Sequence, residues 1–388
     1  MNRRIALRVA LWALAFRVLS AILALFLNLT VPLDHPIPPQ STMWGSPSPL
    51  WDGFVRHDAG WYFDIARNGY DVSGAMGGGR SNIAFAPVYP LLMRYVGRLF
   101  GRAPGNIYLG GILVSWLSFV LAMVALYYLA ALDLPRPRAE RAALLTAIFP
   151  FSFFYGVVYT ESTFLLFAVL SFYCFRTRRW AAAGLCGAIA SATRVTGILM
   201  WPALAWAAWR AAMPTARDRV AASMALLVST LGIGVYCFYV YQRSGQPFLW
   251  ATALTRWGVG YHPGGAPWSA LAALVRALAT HPYVFLTSGP MAVYDTLYGV
   301  TALLFVAAIP FVWRRFGAAY GLFMALNLYV PLSSGALEGL GRYCSVLFPC
   351  FIWLASLRSR YLFTTLIVAC ALFYTLGLAM FVTVRPLF

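Results

Sequence analysis

The segment RHDAGWYFDIARNGY, residues 56–70, is polar and rich in aromatic side chains in a chain that is 61% hydrophobic. It follows the first long apolar stretch, near residues 9–28. Only 11 Asp and Glu residues occur among 388, and three of them, Asp52, Asp58 and Asp64, lie within thirteen positions. We therefore expect a functional segment at the point where the chain leaves a membrane.

The composition predicts an all-α polytopic membrane protein. Mean hydropathy is +0.73, and apolar runs of about 20 residues, enough to cross a bilayer, recur along the chain. We read residues 1–388 as one integral unit without a separable soluble domain. Arg17 interrupts the first apolar stretch, so we expect a membrane helix there and not a removable signal peptide. About eleven transmembrane helices are predicted, near residues 9–28, 107–132, 141–158, 160–175, 180–193, 195–209, 220–241, 293–313, 316–332, 343–357 and 361–384.

The basic residues predict the orientation of these helices. All 29 are arginines, and their clustering in short loops places the N-terminus in the cytoplasm by the positive-inside rule. Segments 29–106 and 242–292 then form two long extracytoplasmic loops. Residues 83–102 are not counted as a span, because Arg94, Arg98 and Arg102 would be costly in lipid. Interfacial helices are expected in the first loop, with these arginines on anionic headgroups; the alternative is that they contact a substrate.

Several function classes are disfavoured. The net charge of +18 is explained by orientation signals, so no nucleic-acid partner is expected. Residues 77–79 form a glycine run without Walker or Rossmann spacing, which disfavours a nucleotide site. The six cysteines show no C-x-x-C spacing, so we expect neither a disulfide framework nor a metal site. No cofactor is predicted.

The predicted topology brings charged residues from distant segments to one membrane face, which indicates a site. Two simpler interpretations apply to the acids of the first loop. Asp58 could cap the helix that starts after it, and Asp64 could pair with Arg67 three residues on. The residues predicted on this face are Asp52, Asp58, Asp64, Glu161, Arg194, Glu338 and Arg342.

Short motifs along the chain resemble a known family. HDAGWYFDIARNGY (57–70) followed by AFAPVYP (84–90) resembles the W-D-x-x-W/F-Y/F-x-x-I-A-x-x-G-Y and A-F-F-P-L-Y-P signatures of PIG-V-like mannosyltransferases. The departures are His57, where the family usually has Trp, and Ala86, where a second Phe is usual. Neither removes a reactive group. The resemblance continues in the family's order over nearly the whole chain, through YTES (159–162), ATRVTG (192–197), QPF (246–248) with WG (257–258), and GRY (341–343) before FP (348–349).

The resemblance implies a GT-C glycosyltransferase with a bundle of membrane helices. Such an enzyme takes a sugar, here expected to be mannose, from a polyprenyl-phosphate donor and passes it to a lipid-linked or glycan acceptor on the outer face. The family's first-loop acid maps onto Asp58, the predicted catalytic residue. An inverting transfer needs a base for the acceptor hydroxyl, and a carboxylate can serve. A plasma-membrane location in a bacterium or archaeon is expected.

Charged residues in the matched motifs are candidates for substrate binding. Arg342 and Arg194 suit the donor phosphate, because arginine forks around phosphate oxygens. The alternative is snorkelling toward the membrane surface. Glu161 could orient Arg194 or the acceptor, or merely complement a helix dipole.

Three residues of the first loop complete the predicted substrate-binding set. Trp61 and Tyr62 could stack on a sugar, although aromatic residues also gather at membrane interfaces for other reasons. Asp52 is included as the neighbouring acid and as an alternative base.

Three rival functions remain open from the sequence. A GT-C enzyme with another donor sugar, such as arabinose, would share all these motifs. A flippase or ligase for polyprenyl-phosphate glycans would use the arginines but would not need Asp58 as a base. A secondary transporter would be expected to show internal repeats, and none is evident.

Overall fold

The computed structural model describes residues 3–37, 42–210, 215–256, 266, 268–281, 290–385 and 387, with the backbone alone at 290–292. Within these ranges the chain forms α-helices and short 3₁₀ turns and no β-strand, which confirms the predicted all-α class. The helices are α1 (Arg3–Thr30), α2 (Ala59–Asn68), α3 (Val72–Met76), α4 (Val88–Arg98), α5 (Pro104–Ala130), α6 (Arg136–Ile148), α7 (Glu161–Arg176), α8 (Trp180–Thr193), α9 (Met200–Arg210), α10 (Ala216–Ser244), α11 (Leu249–Leu254), α12 (Ser269–Thr280), α13 (Pro290–Phe316), α14 (Ala318–Leu332), α15 (Leu340–Ser345), α16 (Phe348–Ser356) and α17 (Arg360–Val382).

Five of the described helices, α1, α5, α10, α13 and α17, are long and apolar enough to cross a membrane. Others are shorter, such as α7 with 16 residues and α8 with 14. The count of about eleven spans therefore stays a prediction.

The single span predicted for residues 141–158 is wrong. Helix α6 ends at Ile148, and the chain continues as a 3₁₀ turn, Ser152–Tyr155. Pro150 explains the break, because its ring has no N–H to continue the helical hydrogen bonds and restricts the residue before it. The turn is fully buried, and it leads the chain into the segment that carries Tyr159 and Glu161.

Helices α8 and α10 are packed backbone to backbone. A Cβ atom on Gly232 would lie 1.8 Å from the carbonyl oxygen of Ala188, and one on Gly187 would lie 2.6 Å from Cβ of Ser229. Small residues allow this approach, as is common between membrane helices. The contact holds the end of α8, and with it Arg194, at a defined place.

The first predicted loop contains the helices α2, α3 and α4, as expected; their depth in a membrane stays a prediction. Helix α4 buries Tyr89 and Met93 and leaves Leu91, Tyr95 and Leu99 exposed. It therefore presents one side to the bundle and an apolar side outward.

The second predicted loop, 242–292, is described in part. Its described portion includes the end of α10, the short α11 and α12. The motif residues Trp257 and Gly258 lie outside the described residues.

Candidate active site

Asp58 is positioned by its backbone neighbours. His57 before it has φ +51°, a conformation uncommon for any residue but glycine. The Asp58 N–H donates to the Tyr159 hydroxyl at 3.1 Å. The Asp58 side chain makes no capping bond to α2, so the capping interpretation is wrong. Its Oδ2 instead accepts a hydrogen bond from Nη1 of Arg342 at 2.8 Å.

Glu161 joins Asp58 and the two arginines into one charge network. Its Oε1 accepts from Nη1 of Arg194 at 2.8 Å and from Nε of Arg342 at 2.9 Å. The Glu161 side chain is fully buried, and those of Arg194 and Arg342 are 9% and 13% exposed. Snorkelling does not fit this burial. Ionised groups removed from water need such pairing, and the charge network, two acids and two arginines, is formally neutral.

Aromatic rings and glycines hold the two arginines in place. The guanidinium carbon of Arg342 lies 4.6 Å from the centre of the Tyr159 ring, and that of Arg194 lies 4.7 Å from the Tyr343 ring, both within cation–π range. A Cβ atom on Gly341 would lie 2.4 Å from the Phe151 ring. The glycine of the Gly-Arg-Tyr motif therefore allows α15 to approach the core and direct Arg342 inward.

The charge network forms part of the wall of a cavity of about 270 Å³. Asp58, Arg194 and Arg342 line it, together with Tyr62 and Glu338. The walls come from the first loop, the ends of α7 and α8, α11, and the segment from α14 to α15. Four of the predicted site residues, Asp58, Tyr62, Arg194 and Arg342, are thus brought to one cavity, and Glu161 lies behind it.

The aromatic candidates occupy different positions. Tyr62 lines the cavity, is 3% exposed, and packs edge-on against Phe85 with 5.0 Å between ring centres. Trp61 does not line the cavity but stacks at 6.3 Å on Phe85, which does. Trp61 therefore supports the wall from outside.

Asp52 is not brought to the cavity, contrary to its assignment to the substrate-binding set. It is buried, and its carboxylate accepts from the backbone N–H of Met43 at 3.1 Å and of Ser48 at 2.8 Å. Asp52 therefore organises the loop before α2.

Asp64 also differs from expectation. Its carboxylate accepts from Asn68 at 2.7 Å and from Asn82 at 2.6 Å, and the predicted pair with Arg67 is not formed. The bond from Asn68 lies within α2, and the bond from Asn82 ties α2 to the turn before α4.

Two further groups were not among the predicted site residues, although the sequence places Glu338 on the same membrane face. Glu338 lines the cavity, and partial burial of its carboxylate, with Asp58 and Asp295 nearby, raises the pKa of Glu338. Its place three residues before the Gly-Arg-Tyr motif was the available clue. Burial lowers the pKa of His57 to about 4, so this imidazole is neutral at pH 7 and packs on Phe381 at 5.3 Å.

A metal-binding cluster is not found in the described part of the chain, where no three or more His, Cys, Asp or Glu side chains converge. The absence of a cofactor stays a prediction.

An apolar groove of about 650 Å³ adjoins the cavity. It runs between α4, α8 and α10, with Arg94 at its rim. Its wall includes Leu185, Leu231 and Val235, which are more than half exposed. They lie on the apolar helices α8 and α10. The groove and the cavity are adjacent, because Ala192 and Pro87 line the groove while the consecutive residues Thr193 and Ala86 line the cavity.

Comparison with known proteins gives a family match and several similar proteins. The family model described as mannosyltransferase (PIG-V) matches residues 7–231. GPI alpha-1,6-mannosyltransferase 2 of Cricetulus griseus is 30% identical over 206 residues, which is 48% of this chain and 40% of the relative. The chain thus matches less than half of the length of this curated relative.

Two solved structures superpose on nearly the whole chain at low similarity. ArnT from Cupriavidus metallidurans bound to undecaprenyl phosphate is 13% identical with a TM-score of 0.48, covering 97% of this chain and 76% of that one. The oligosaccharyltransferase AglB from Archaeoglobus fulgidus with an inhibitory peptide and dolichol-phosphate is 13% identical with a TM-score of 0.47, covering 97% and 56%.

Proposed function

Because the chain belongs to the PIG-V mannosyltransferase family, we propose that it is a glycosyltransferase that moves mannose from a polyprenyl-phosphate donor to a lipid-linked or glycan acceptor. The observation that carries this proposal is the convergence of Asp58 with Arg194 and Arg342 on one cavity. A carboxylate suits the acceptor hydroxyl, and paired guanidiniums suit a phosphate.

Asp58 is the proposed general base. Its Oδ2 is engaged by Arg342, whereas Oδ1 has no hydrogen bond within the described residues. As the acceptor oxygen bonds to the anomeric carbon, its proton passes to Oδ1, and the bond from that carbon to the phosphate oxygen breaks. Attack opposite the leaving group inverts the anomeric centre.

The two arginines are the proposed phosphate ligands. The leaving polyprenyl phosphate takes the electron pair of the broken bond and needs charge stabilisation more than a proton. Arg342 and Arg194 each give only part of their five N–H donors to Glu161 and Asp58. The remaining donors can bind phosphate oxygens, while Glu161 holds the two guanidinium groups in a fixed orientation.

The apolar groove supports a lipid-linked donor. The part of α8 that lines it, Leu185–Ala192, is about 10 Å long at 1.5 Å per residue. An isoprenoid chain in this groove would enter the lipid through the exposed wall while its phosphate stays near the arginines. A nucleotide sugar offers no apolar chain to fill such a groove.

The site is proposed to face the extracytoplasmic side of the plasma membrane, with the N-terminus in the cytoplasm. The one-sided clustering of arginines in short loops supports this orientation.

The test uses purified protein, radiolabelled polyprenyl-phosphate mannose, GDP-mannose and a panel of membrane glycolipids. We expect transfer from the lipid donor and none from GDP-mannose when the lipid donor is absent. Direct transfer from GDP-mannose would contradict the proposal. If the protein transfers arabinose from polyprenyl-phosphate arabinose and does not transfer mannose, the proposed donor sugar is wrong and the proposed type of reaction stands.

A further inference from the structure

Glu338 is a carboxylate in the cavity that the reaction described above does not use. It lies between α14 and α15 and lines the cavity with Asp58 and Arg342, and solvent reaches its side chain. Gly335 and Gly339 on either side have φ values of +81° and +74°, conformations that glycine adopts without strain. Neighbouring Leu340 is fully buried, so the turn that presents Glu338 is anchored to the core.

Within the described residues, no cation forms an ion pair with Glu338. The other charged groups that line the cavity, Asp58, Arg194 and Arg342, are paired within the charge network. Glu338, by contrast, makes no hydrogen bond or ion pair within the described ranges. The charges near it are of both signs: Asp58 and Asp295 disfavour its ionised form, and Arg342 and Arg80 favour it.

The charged groups of the cavity wall are therefore of two kinds, the paired charge network and the carboxylate of Glu338. A donor phosphate is attracted to the arginines and repelled by a free carboxylate. The part of the wall at Glu338 therefore suits a ligand without negative charge. A carboxylate has two oxygens that accept hydrogen bonds, and a pyranose presents neighbouring hydroxyls that donate them.

We propose that Glu338 binds hydroxyl groups of the acceptor sugar and holds the attacking hydroxyl toward Asp58. The inference rests on the proposed function and deepens it, because it assigns the donor phosphate to the arginines and the acceptor to Glu338. Glu338 then contributes to the affinity for the acceptor and not to the affinity for the donor.

The experiment compares the wild type with Glu338→Gln and Glu338→Ala, using undecaprenyl-phosphate mannose as donor and octyl α-D-mannopyranoside as acceptor. Glu140→Gln is the control, because Glu140 pairs with Arg8 on α1 and does not line the cavity. We expect Glu338→Ala to raise the acceptor KM about tenfold or more, the usual worth of a hydrogen bond to a charged group. Glu338→Gln should raise the acceptor KM less, and the donor KM should not rise in either variant.

The pH dependence gives a readout that a purely structural role would not move. The raised pKa of Glu338 means that its carboxylate takes up a proton at a higher pH than an ordinary glutamate. Acceptor affinity of the wild type should therefore fall as the pH falls through that pKa. Glu338→Gln should lack this dependence.

A binding measurement separates this inference from the proposed function. Thermal shift of the detergent-solubilised protein by octyl α-D-mannopyranoside needs no turnover, and the shift should shrink in Glu338→Ala and persist in Glu140→Gln. Equal shifts in all variants, no shift in the wild type, or a donor KM that rises as much as the acceptor KM would overturn the role of Glu338. Sugar binding that depends on Glu338 without any transfer from the lipid donor would contradict the proposed function alone.

Discussion

At the scale of single residues, the burial of Glu161 decides how the site is built. A fully buried carboxylate is tolerated because two guanidiniums share its Oε1. One of them, Arg342, reaches Asp58 as well, so the base and the phosphate ligands are parts of one hydrogen-bonded unit. A change at any member is therefore expected to act on the others.

Asp58→Asn tests the proposed base. The amide keeps the shape of the side chain but cannot take up the proton, so transfer should fall by about two to four orders of magnitude, the usual worth of general base catalysis. Donor binding, measured with labelled polyprenyl-phosphate mannose, should survive. Asp64→Asn is the matched control in the same segment, and its transfer activity should fall far less. A fully active Asp58→Asn enzyme would show that Asp58 is not the base and that another group takes up the proton.

Glu161→Gln tests the neutrality of the charge network. The variant leaves two buried arginines with one acid between them, and breaking a buried pair typically costs about 3–5 kcal/mol. Glu140→Gln breaks the exposed Arg8–Glu140 pair, which should cost at most about 1 kcal/mol. Thermal unfolding in detergent should show a large drop in Tm for the first variant and little change for the second. Equal drops in Tm for the two variants would contradict the buried charge network around Glu161.

At the scale of elements, the pairing of α8 with α10 shapes both binding surfaces. Glycines at the contact bring the two backbones together, and this closeness leaves the apolar groove between them and α4. The end of α8 then presents Arg194 to the cavity. One helix pair thus serves the polar and the apolar parts of the proposed donor site.

Ala188→Phe tests the groove. Ala188 lines it, and a phenyl ring there should displace several methylene groups of a bound isoprenoid, each worth about 0.8 kcal/mol. Transfer from undecaprenyl-phosphate mannose should fall about tenfold or more. Transfer from the short citronellyl-phosphate mannose should equal that of the wild type. Ala182→Phe makes the same change on an exposed position of α8 outside the groove and should affect neither donor. Equal losses on both donors would indicate damage to the cavity.

At the scale of the whole molecule, charge and hydropathy set the arrangement in the membrane. Five described helices have the length and hydropathy to span a membrane, and the clusters of arginine in short loops support the proposed orientation. The short helices of the first loop cover the ends of α5, α7 and α8 on one side. The cavity then opens on the side opposite the turn between α5 and α6.

Single cysteines test the proposed orientation. Met76→Cys and Pro137→Cys both fall at exposed positions, the first in α3 and the second in α6. In intact cells Met76→Cys should react with an impermeant maleimide and Pro137→Cys should react only after permeabilisation, because the two residues lie at opposite ends of α5. The wild-type protein with its six native cysteines gives the background. Labelling of Pro137→Cys from outside would show that the orientation is the reverse of the one proposed, with the site on the cytoplasmic side.

Much of the molecule is determined by the sequence alone. Hydropathy specifies a membrane protein of helices, because the bilayer core admits few other spanning structures. Proline and glycine mark several helix ends, although the break at Pro150 was missed because apolar residues continue on both sides of it. The resemblance of the short motifs singled out Asp58, Glu161, Arg194 and Arg342 as candidates.

Only the tertiary structure decided how these residues are paired. Asp58 and Arg342 are 284 positions apart in the chain, and no local spacing encodes which acid meets which arginine. Local rules predicted a cap for Asp58 and an Arg67 partner for Asp64, yet long-range contacts replaced both. Asp52 binds backbone N–H groups of its own loop, while Glu338 lines the cavity without an ion pair to any described residue. The reason is physical: helix packing fixes the burial of each carboxylate, and burial decides which charges must pair.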